Sequence, residues 1–149
     1  MPEKQTVESA REAARERKSA STQAGEFVRE ETHHVREGKH GAASPEQAIA
    51  IGLSKARRAG VKLPSPRGRN VSAETKARTR RDSSRGQSAP QHKVSPKRSR
   101  ATSQALKKKG RSAASESALA NQARTAARKR GTTARHNAAV KASHTRKAA

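Results

Sequence analysis

Large apolar side chains are scarce in this sequence, and their scarcity limits what the chain can fold into. Leu, Ile, Val and Phe together number 14 among 149 residues, and there is no Trp, Tyr or Cys. Ordering one residue costs about 1–2 kcal/mol, whereas burying one such side chain returns roughly 1.5–3 kcal/mol. The composition therefore predicts a mostly disordered chain with one small packed element.

Eight of these 14 residues fall between residues 27 and 63, where the packed element is expected. Val28, Thr32 and Val35 recur at helical spacing and predict its first helix. The segment ahead of it, residues 1–25, is polar and charge-balanced. We expect a fraying helix there at best, because it has nothing large to bury.

The second helix of this element has a complete start and stop signature. Ser44 is suited to cap it, Pro45 to its first position, and Gln47 to the third position of a capping box. Gly60 then provides the stop. The two helices predict a small all-α helical hairpin at about residues 26–60, marginal alone and stabilised by a protein partner or by self-association.

Positive charge is concentrated after the first third of the chain. Residues 1–46 hold eight Lys and Arg against nine Glu, whereas residues 47–149 hold 27 against three acidic residues. We therefore expect three regions: residues 1–25, a hairpin core at residues 26–63, and a basic, intrinsically disordered tail at residues 64–149. So positive a tail repels itself until a polyanion neutralises it, which points to nucleic acid as the partner.

One motif in the tail resembles the AT-hook, an extended element that binds the narrow minor groove of A·T-rich DNA. It is the Pro-Arg-Gly-Arg sequence that contains Arg67 and Arg69. The resemblance implies that both arginines extend along the groove toward its negative potential. Asn70 stands where the hook has its second proline, and a plain basic linker is the alternative.

Other candidate nucleic-acid-binding residues lie in short basic runs. The Ser-Pro-Lys-Arg sequence at residues 95–98 resembles a repeat of linker-histone tails, where it forms a turn that presents two cations to DNA. Alone, each run is usually solvated surface, but their sum favours phosphate binding. These candidates are Lys97, Arg98, Lys107, Lys108, Lys109, Arg111, Arg124, Arg128, Lys129 and Arg130.

A longer stretch resembles a known family. Glu37-Gly38-Lys39-His40, followed by QAIAIGLSKARRAG at residues 47–60, resembles the core of a family of short basic bacterial proteins of unknown function. The resemblance covers about residues 26–64 and implies a bacterial origin. It supplies no enzymatic role and no functional residues. The tail also resembles linker-histone tails in composition.

Catalytic and cofactor motifs are missing from the sequence, so we expect a protein that is not an enzyme and binds no cofactor. His33, His34 and His40 lie near Glu30 and Glu31, which raises the question of a metal site. Adjacent histidines on a helix point in different directions, and no two of the three are spaced i, i+4. The sequence therefore predicts no metal site, with exposed histidines as the expectation.

The predicted function is non-enzymatic, largely sequence-independent nucleic-acid binding by a cytoplasmic, nucleoid-associated protein. Stacking on single-stranded bases needs aromatic side chains, and Phe27 is the only one, so base-stacking RNA modules are excluded. Duplex DNA and folded RNA remain, and DNA is favoured. The longest apolar run is six residues, so no membrane insertion is expected. The alternatives are an RNA- or ribosome-associated binder, a stress-related disordered protein without a specific ligand and, more weakly, attachment to an anionic membrane.

Overall fold

The computed structural model describes residues 2–66, 71–88 and 95–147. These residues form seven α-helices, one short 3-10 helix and no strand. The chain divides into two compact units, Met1–Ala114 and Ser115–Ala149. The elements are α1 (Lys4–Arg15), α2 (Ala20–Arg36), α3 (Pro45–Arg58), α4 (Ala73–Gln87), α5 (Pro96–Lys107), the 3-10 helix η1 (Ser112–Ala114), α6 (Glu116–Lys129) and α7 (Gly131–Lys147).

The prediction of a mostly disordered chain, with an intrinsically disordered tail, is wrong. Helices α4 to α7 all lie in the segment that was expected to be disordered. Counting only Leu, Ile, Val and Phe misses the core, because most of its buried apolar residues are alanines, the strongest helix formers. The buried apolar residues are Ala10, Ala13, Ala24, Phe27, Val35, Ala42, Ala48, Ala56, Val61, Ala113 and Ala114.

The predicted hairpin is present, and α2 is its central helix. It packs against α1 on one side and α3 on another, and Phe27 lies fully buried among alanines of the three helices. Gly52 of α3 lies directly against the α2 backbone, since a Cβ atom there would be 2.7 Å from the Cα of Val28. Small residues thus let the two helix backbones approach closely enough to make a core without bulk.

The predicted signature of α3 is confirmed at both ends. The Ser44 side chain accepts a hydrogen bond from the Gln47 backbone N–H at 3.2 Å, and Pro45 is the first helical residue. The Gln47 side chain accepts a hydrogen bond from the N–H of Ala43, one residue before the usual capping-box partner. The helix ends at Arg58, and Gly60 follows with a positive φ of 96°.

The boundaries of the first two helices differ from the expectation. The polar first segment is interrupted at Arg15, and α2 begins at Ala20, so Gly25 lies inside a helix rather than before one. Ser19 provides the missed start signal, because its side chain accepts a hydrogen bond from the Thr22 N–H. The extra turns of α2 bring Ala24 into the core.

A second core lies between the loop after α2 and the segment 106–114. The backbone N–H of Gly41 donates to the Leu106 carbonyl at 3.0 Å, and that of Ala42 donates to the Gly110 carbonyl at 3.1 Å. Val35 and Ala48 are buried there together with Ala42 and the two alanines of η1. Part of the predicted tail is therefore built into the folded core.

The second unit contains α6 and α7. Ser115 caps α6 by accepting a hydrogen bond from the Ala118 N–H at 3.2 Å. Neither helix contains a buried residue, and every described residue of α7 is exposed, including Val140. This unit therefore has helical structure without a buried core.

Candidate functional site

Four of the predicted nucleic-acid-binding residues, Arg124, Arg128, Lys129 and Arg130, lie in the second unit together with four cations that were not predicted. This unit holds eight Lys and Arg against the single acid Glu116. All eight are exposed, and no carboxylate in the part of the chain that the structure describes forms an ion pair with any of them. They are Arg124, Arg128, Lys129, Arg130, Arg135, Lys141, Arg146 and Lys147.

The Ser-Pro-Lys-Arg motif begins a helix rather than forming an isolated turn. Pro96 is at the start of α5, and Lys97 and Arg98 lie exposed in its first turn. The Ser95 side chain makes no capping hydrogen bond. Both cations therefore remain accessible, but near a helix N-terminus, which is the less favourable end for positive charge.

The lysine run that begins at the last residue of α5 is anchored within the first unit. Lys107, Lys108, Lys109 and Arg111 are all exposed. Their backbone is fixed on both sides by the hydrogen bonds that join the segment to Gly41 and Ala42. The structure thus presents these four cations from an anchored loop of the first unit.

Two further groups of cations complete the basic surface. Arg67 and Arg69, and with them the AT-hook prediction, lie outside the described residues. Helix α4 carries cations that the motif search missed, since they do not form a continuous run. The exposed cations of α4 are Lys76, Arg78, Arg80, Arg81 and Arg85.

A buried charge cluster is the most unusual feature of the first unit. Glu31 is fully buried and Glu30 nearly so, and both belong to α2. Lys55 of α3 reaches both carboxylates, with its Nζ 3.0 Å from Glu30 Oε1 and 2.7 Å from Glu31 Oε2. One lysine thus bridges two adjacent buried acids, and this joins α2 to α3 electrostatically.

Two histidines extend this cluster. The Nε2 atom of His34 lies 2.9 Å from Glu3 Oε1, and the Nε2 atom of His40 lies 3.1 Å from Glu31 Oε1. The histidine rings are 6.3 Å apart in an edge-to-face arrangement. The expectation of exposed histidines therefore describes His33 but not His34, which is buried.

The environment of Glu30 favours its ionised form. Burial opposes ionisation, but hydrogen bonds from Lys55, from Thr6 and from the Glu3 backbone N–H outweigh it. The pKa of Glu30 is consequently lower than its ordinary value. Glu30 therefore stays negatively charged inside the fold and holds α1 and α3 against α2.

Glu31 differs from Glu30 in how its oxygens are satisfied. Its two oxygens are near Lys55 and His40, yet neither accepts a hydrogen bond with good angular geometry. A fully buried carboxylate normally accepts several well-aligned hydrogen bonds. The charge of Glu31 is thus balanced by Lys55, but its oxygen lone pairs accept no well-aligned hydrogen bond.

Comparison with known proteins gives a family of unknown function. Residues 4–67 match the model of that family (DUF6496), a stretch that contains α1, α2 and α3. The similarity to an uncharacterised family is thereby confirmed over these residues, whereas the bacterial origin stays a prediction. Searches of curated proteins and of solved structures find no match to the chain.

The length and polarity of the helices bear on membrane insertion. In the described ranges, no helix is both long and apolar enough to cross a bilayer. This finding agrees with the prediction of no membrane insertion.

Proposed function

We propose that this protein binds nucleic acid through the exposed cations of its second unit and the basic loop after α5. The observation that supports this proposal most directly is a difference in charge pairing between the two units. In the second unit, eight exposed cations have one acid in the same unit, whereas Glu30 and Glu31 in the first unit are matched by Lys55. Cations that are not paired with acidic side chains can bind phosphates without first breaking an ion pair.

Duplex DNA is the proposed form of the ligand. Stacking on single-stranded bases requires exposed aromatic side chains, and Phe27, the only aromatic residue of the chain, is fully buried. Without stacking, binding depends on the backbone phosphates and is largely independent of sequence. A nucleoid association in a bacterial cell would be consistent with this mode of binding.

The salt dependence of binding tests the proposal. Fluorescence anisotropy of the full chain with a labelled duplex of about 25 base pairs would be measured from 50 mM to 1 M NaCl. If eight cations each contact a phosphate, the logarithm of the association constant falls with the logarithm of salt at a slope of about −7. Absence of binding at 50 mM, or undiminished binding at 1 M, would contradict the proposal.

A matched pair of variants locates the binding surface. Each variant replaces four exposed cations by Gln, so the two have equal net charge. The test variant changes Arg124, Arg128, Arg135 and Lys141. The control variant changes Lys4, Arg11, Arg15 and Arg29 in α1 and α2.

We expect the test variant to bind at least tenfold more weakly at 100 mM NaCl, with a slope less steep by about 3 to 4. The control variant should lose less than threefold. Equal losses in the two variants would mean that net charge alone drives binding and would reject the second unit as the interface. Tighter binding of a structured RNA of the same length would reject DNA as the ligand.

A further inference from the structure

Three potential metal ligands converge where α2 meets the loop that follows it. Glu31 and His34 are one turn of α2 apart, and His40 returns toward them from the loop. One ligand atom from each residue lies within 4.8 Å of the other two. Sequence spacing did not reveal this group, because His40 approaches through the turn at residues 37–41 rather than along the helix.

Hydrogen-bond partners indicate which nitrogen of each histidine carries the N–H group, and Nδ1 of His34 lies 3.8 Å from Glu30 Oε1, beyond hydrogen-bond distance. The Nε2 atom of His34 faces the Glu3 carboxylate, and the Nδ1 atom of His40 faces the Gly41 carbonyl at 3.2 Å. Both of these oxygens accept hydrogen bonds, so each of these nitrogens is assigned the N–H group of its ring. The lone pairs of the neutral rings are then on Nδ1 of His34 and Nε2 of His40.

This assignment leaves two acceptors facing each other. The free Nε2 lone pair of His40 lies 3.1 Å from Glu31 Oε1, an oxygen with no well-aligned hydrogen-bond donor. Two such lone pairs repel each other in a buried site unless a cation lies between them. Ligands about 2.1 Å from a tetrahedral metal ion are about 3.4 Å apart, close to the separation of these two atoms.

The surroundings match the outer shell of a metal site. Metal-binding histidines usually donate their second N–H to a carboxylate or to a backbone carbonyl, and these two histidines do one of each. Lys55 Nζ lies 2.7 Å from the other Glu31 oxygen, which fixes the orientation of that carboxylate. The side chain of His40 is 18% exposed, which gives an ion a route from solvent.

The charge of the cluster also favours a cation. Glu30 and Glu31 contribute two buried negative charges, and Lys55 contributes one positive charge. With neutral imidazoles the cluster has a formal charge of −1, in a site with little solvent to screen it. A divalent ion would change this charge to +1.

We propose that Glu31, His34 and His40 bind one divalent transition-metal ion, with Nδ1 of His34, Nε2 of His40 and Oε1 of Glu31 as its ligands. Two imidazoles and one carboxylate are a donor set suited to Zn²⁺ and to neighbouring first-row ions. The ion joins α2 to the loop at residues 37–41, and through Glu3 it is coupled to the start of α1. None of these three ligands is one of the cations of the proposed nucleic-acid surface.

Titration of the full-length, metal-free chain with ZnCl₂ tests the proposal, with a chromophoric chelator as competitor. We expect one tight site per chain. His40→Ala should weaken binding at least tenfold, because it removes a ligand. His33→Ala is the matched control, since His33 is the adjacent, exposed histidine of α2, and it should change binding less than twofold.

A measurement on the unmodified chain covers the case in which His40→Ala does not fold. Long-range ¹H–¹⁵N spectra report the state of each imidazole nitrogen, and Zn²⁺ should shift Nδ1 of His34 and Nε2 of His40 while leaving His33 unchanged. Two results would overturn the proposal. One is the absence of a stoichiometric site, and the other is equal weakening by His33→Ala and His40→Ala.

Discussion

The two units of this molecule are both helical, but they differ in how they pair charged side chains and bury apolar ones. Among the residues that the structure describes, the first unit buries eleven apolar ones and encloses Glu30 and Glu31 beside Lys55. The second unit buries no residue of α6 or α7 and leaves its eight cations exposed. Helix formation is thus common to both units, whereas the described buried apolar side chains all lie in the first.

The contrast shows what a low content of large apolar residues does and does not prevent. Alanine and glycine allow α1, α2 and α3 to approach closely, and contacts at short range replace the bulk of Leu or Ile. In the second unit, alanine supports the helices through propensity alone. A composition that supports a folded core in one region therefore supports only surface helices in another.

The largest expected effect is a difference in amide hydrogen exchange between α2 and α7. Amides in the middle of α2 should exchange only by global unfolding, whereas those of α7 exchange by local fraying because no packing holds that helix. A stability of about 5 kcal/mol corresponds to roughly a thousandfold slowing or more. Exchange measured by mass spectrometry checks this difference, and equal protection of the two helices would contradict the comparison.

The next largest effect is expected from removal of the buried cation. Lys55→Met keeps the length of the side chain but leaves Glu30 and Glu31 without their shared partner, so it should reduce the free energy of unfolding by about 3–5 kcal/mol. Lys39→Met is the control, because Lys39 is half exposed in its ion pairs with Glu3 and Glu37. It should change the free energy of unfolding far less than Lys55→Met does.

Urea denaturation of the full chain, followed by circular dichroism, checks both lysine variants. Similar losses for Lys55→Met and Lys39→Met would show that the buried cluster contributes no more than a surface pair.

The smallest predicted effects come from two helical glycines, for which substitution by alanine should change stability in opposite directions. Gly52→Ala would place a Cβ atom 2.7 Å from the Cα of Val28 and should destabilise the first unit by about 1–3 kcal/mol. Gly25 has no atom within 4 Å of its Cβ position, so Gly25→Ala should stabilise α2 by roughly 0.5–1 kcal/mol. Thermal unfolding of both variants measures the difference, and stabilisation by both would mean that α2 and α3 are not in close contact.

Local signals in the sequence predicted individual elements better than the global composition did. The start of α3 follows from Ser44 and Pro45, whose effects act within one turn of helix. The folded state of residues 106–114 did not follow, because its contacts are made by Ala113 and Ala114 and by backbone hydrogen bonds to Gly41 and Ala42. Neither kind of contact has a signature in hydrophobic patterning.

The candidate sites were predictable to different degrees. Basic residues can be counted in any sequence, so a basic surface could be proposed from charge alone. The convergence of Glu31, His34 and His40 depends on the turn after α2, and its hydrogen-bond partners Glu3 and Gly41 are identified only by the tertiary structure. Spacing along one helix carries no information about a ligand that returns from a loop.

The hydrogen bonds that attach residues 106–110 to the loop after α2 set a practical boundary for dissecting the protein. The family match stops at residue 67, yet Val35, Ala42 and Ala48 are covered by alanines at positions 113 and 114. A fragment trimmed to the matched stretch would expose that apolar patch to water and invite aggregation. Truncation studies should therefore cut after Ala114, where the first compact unit ends.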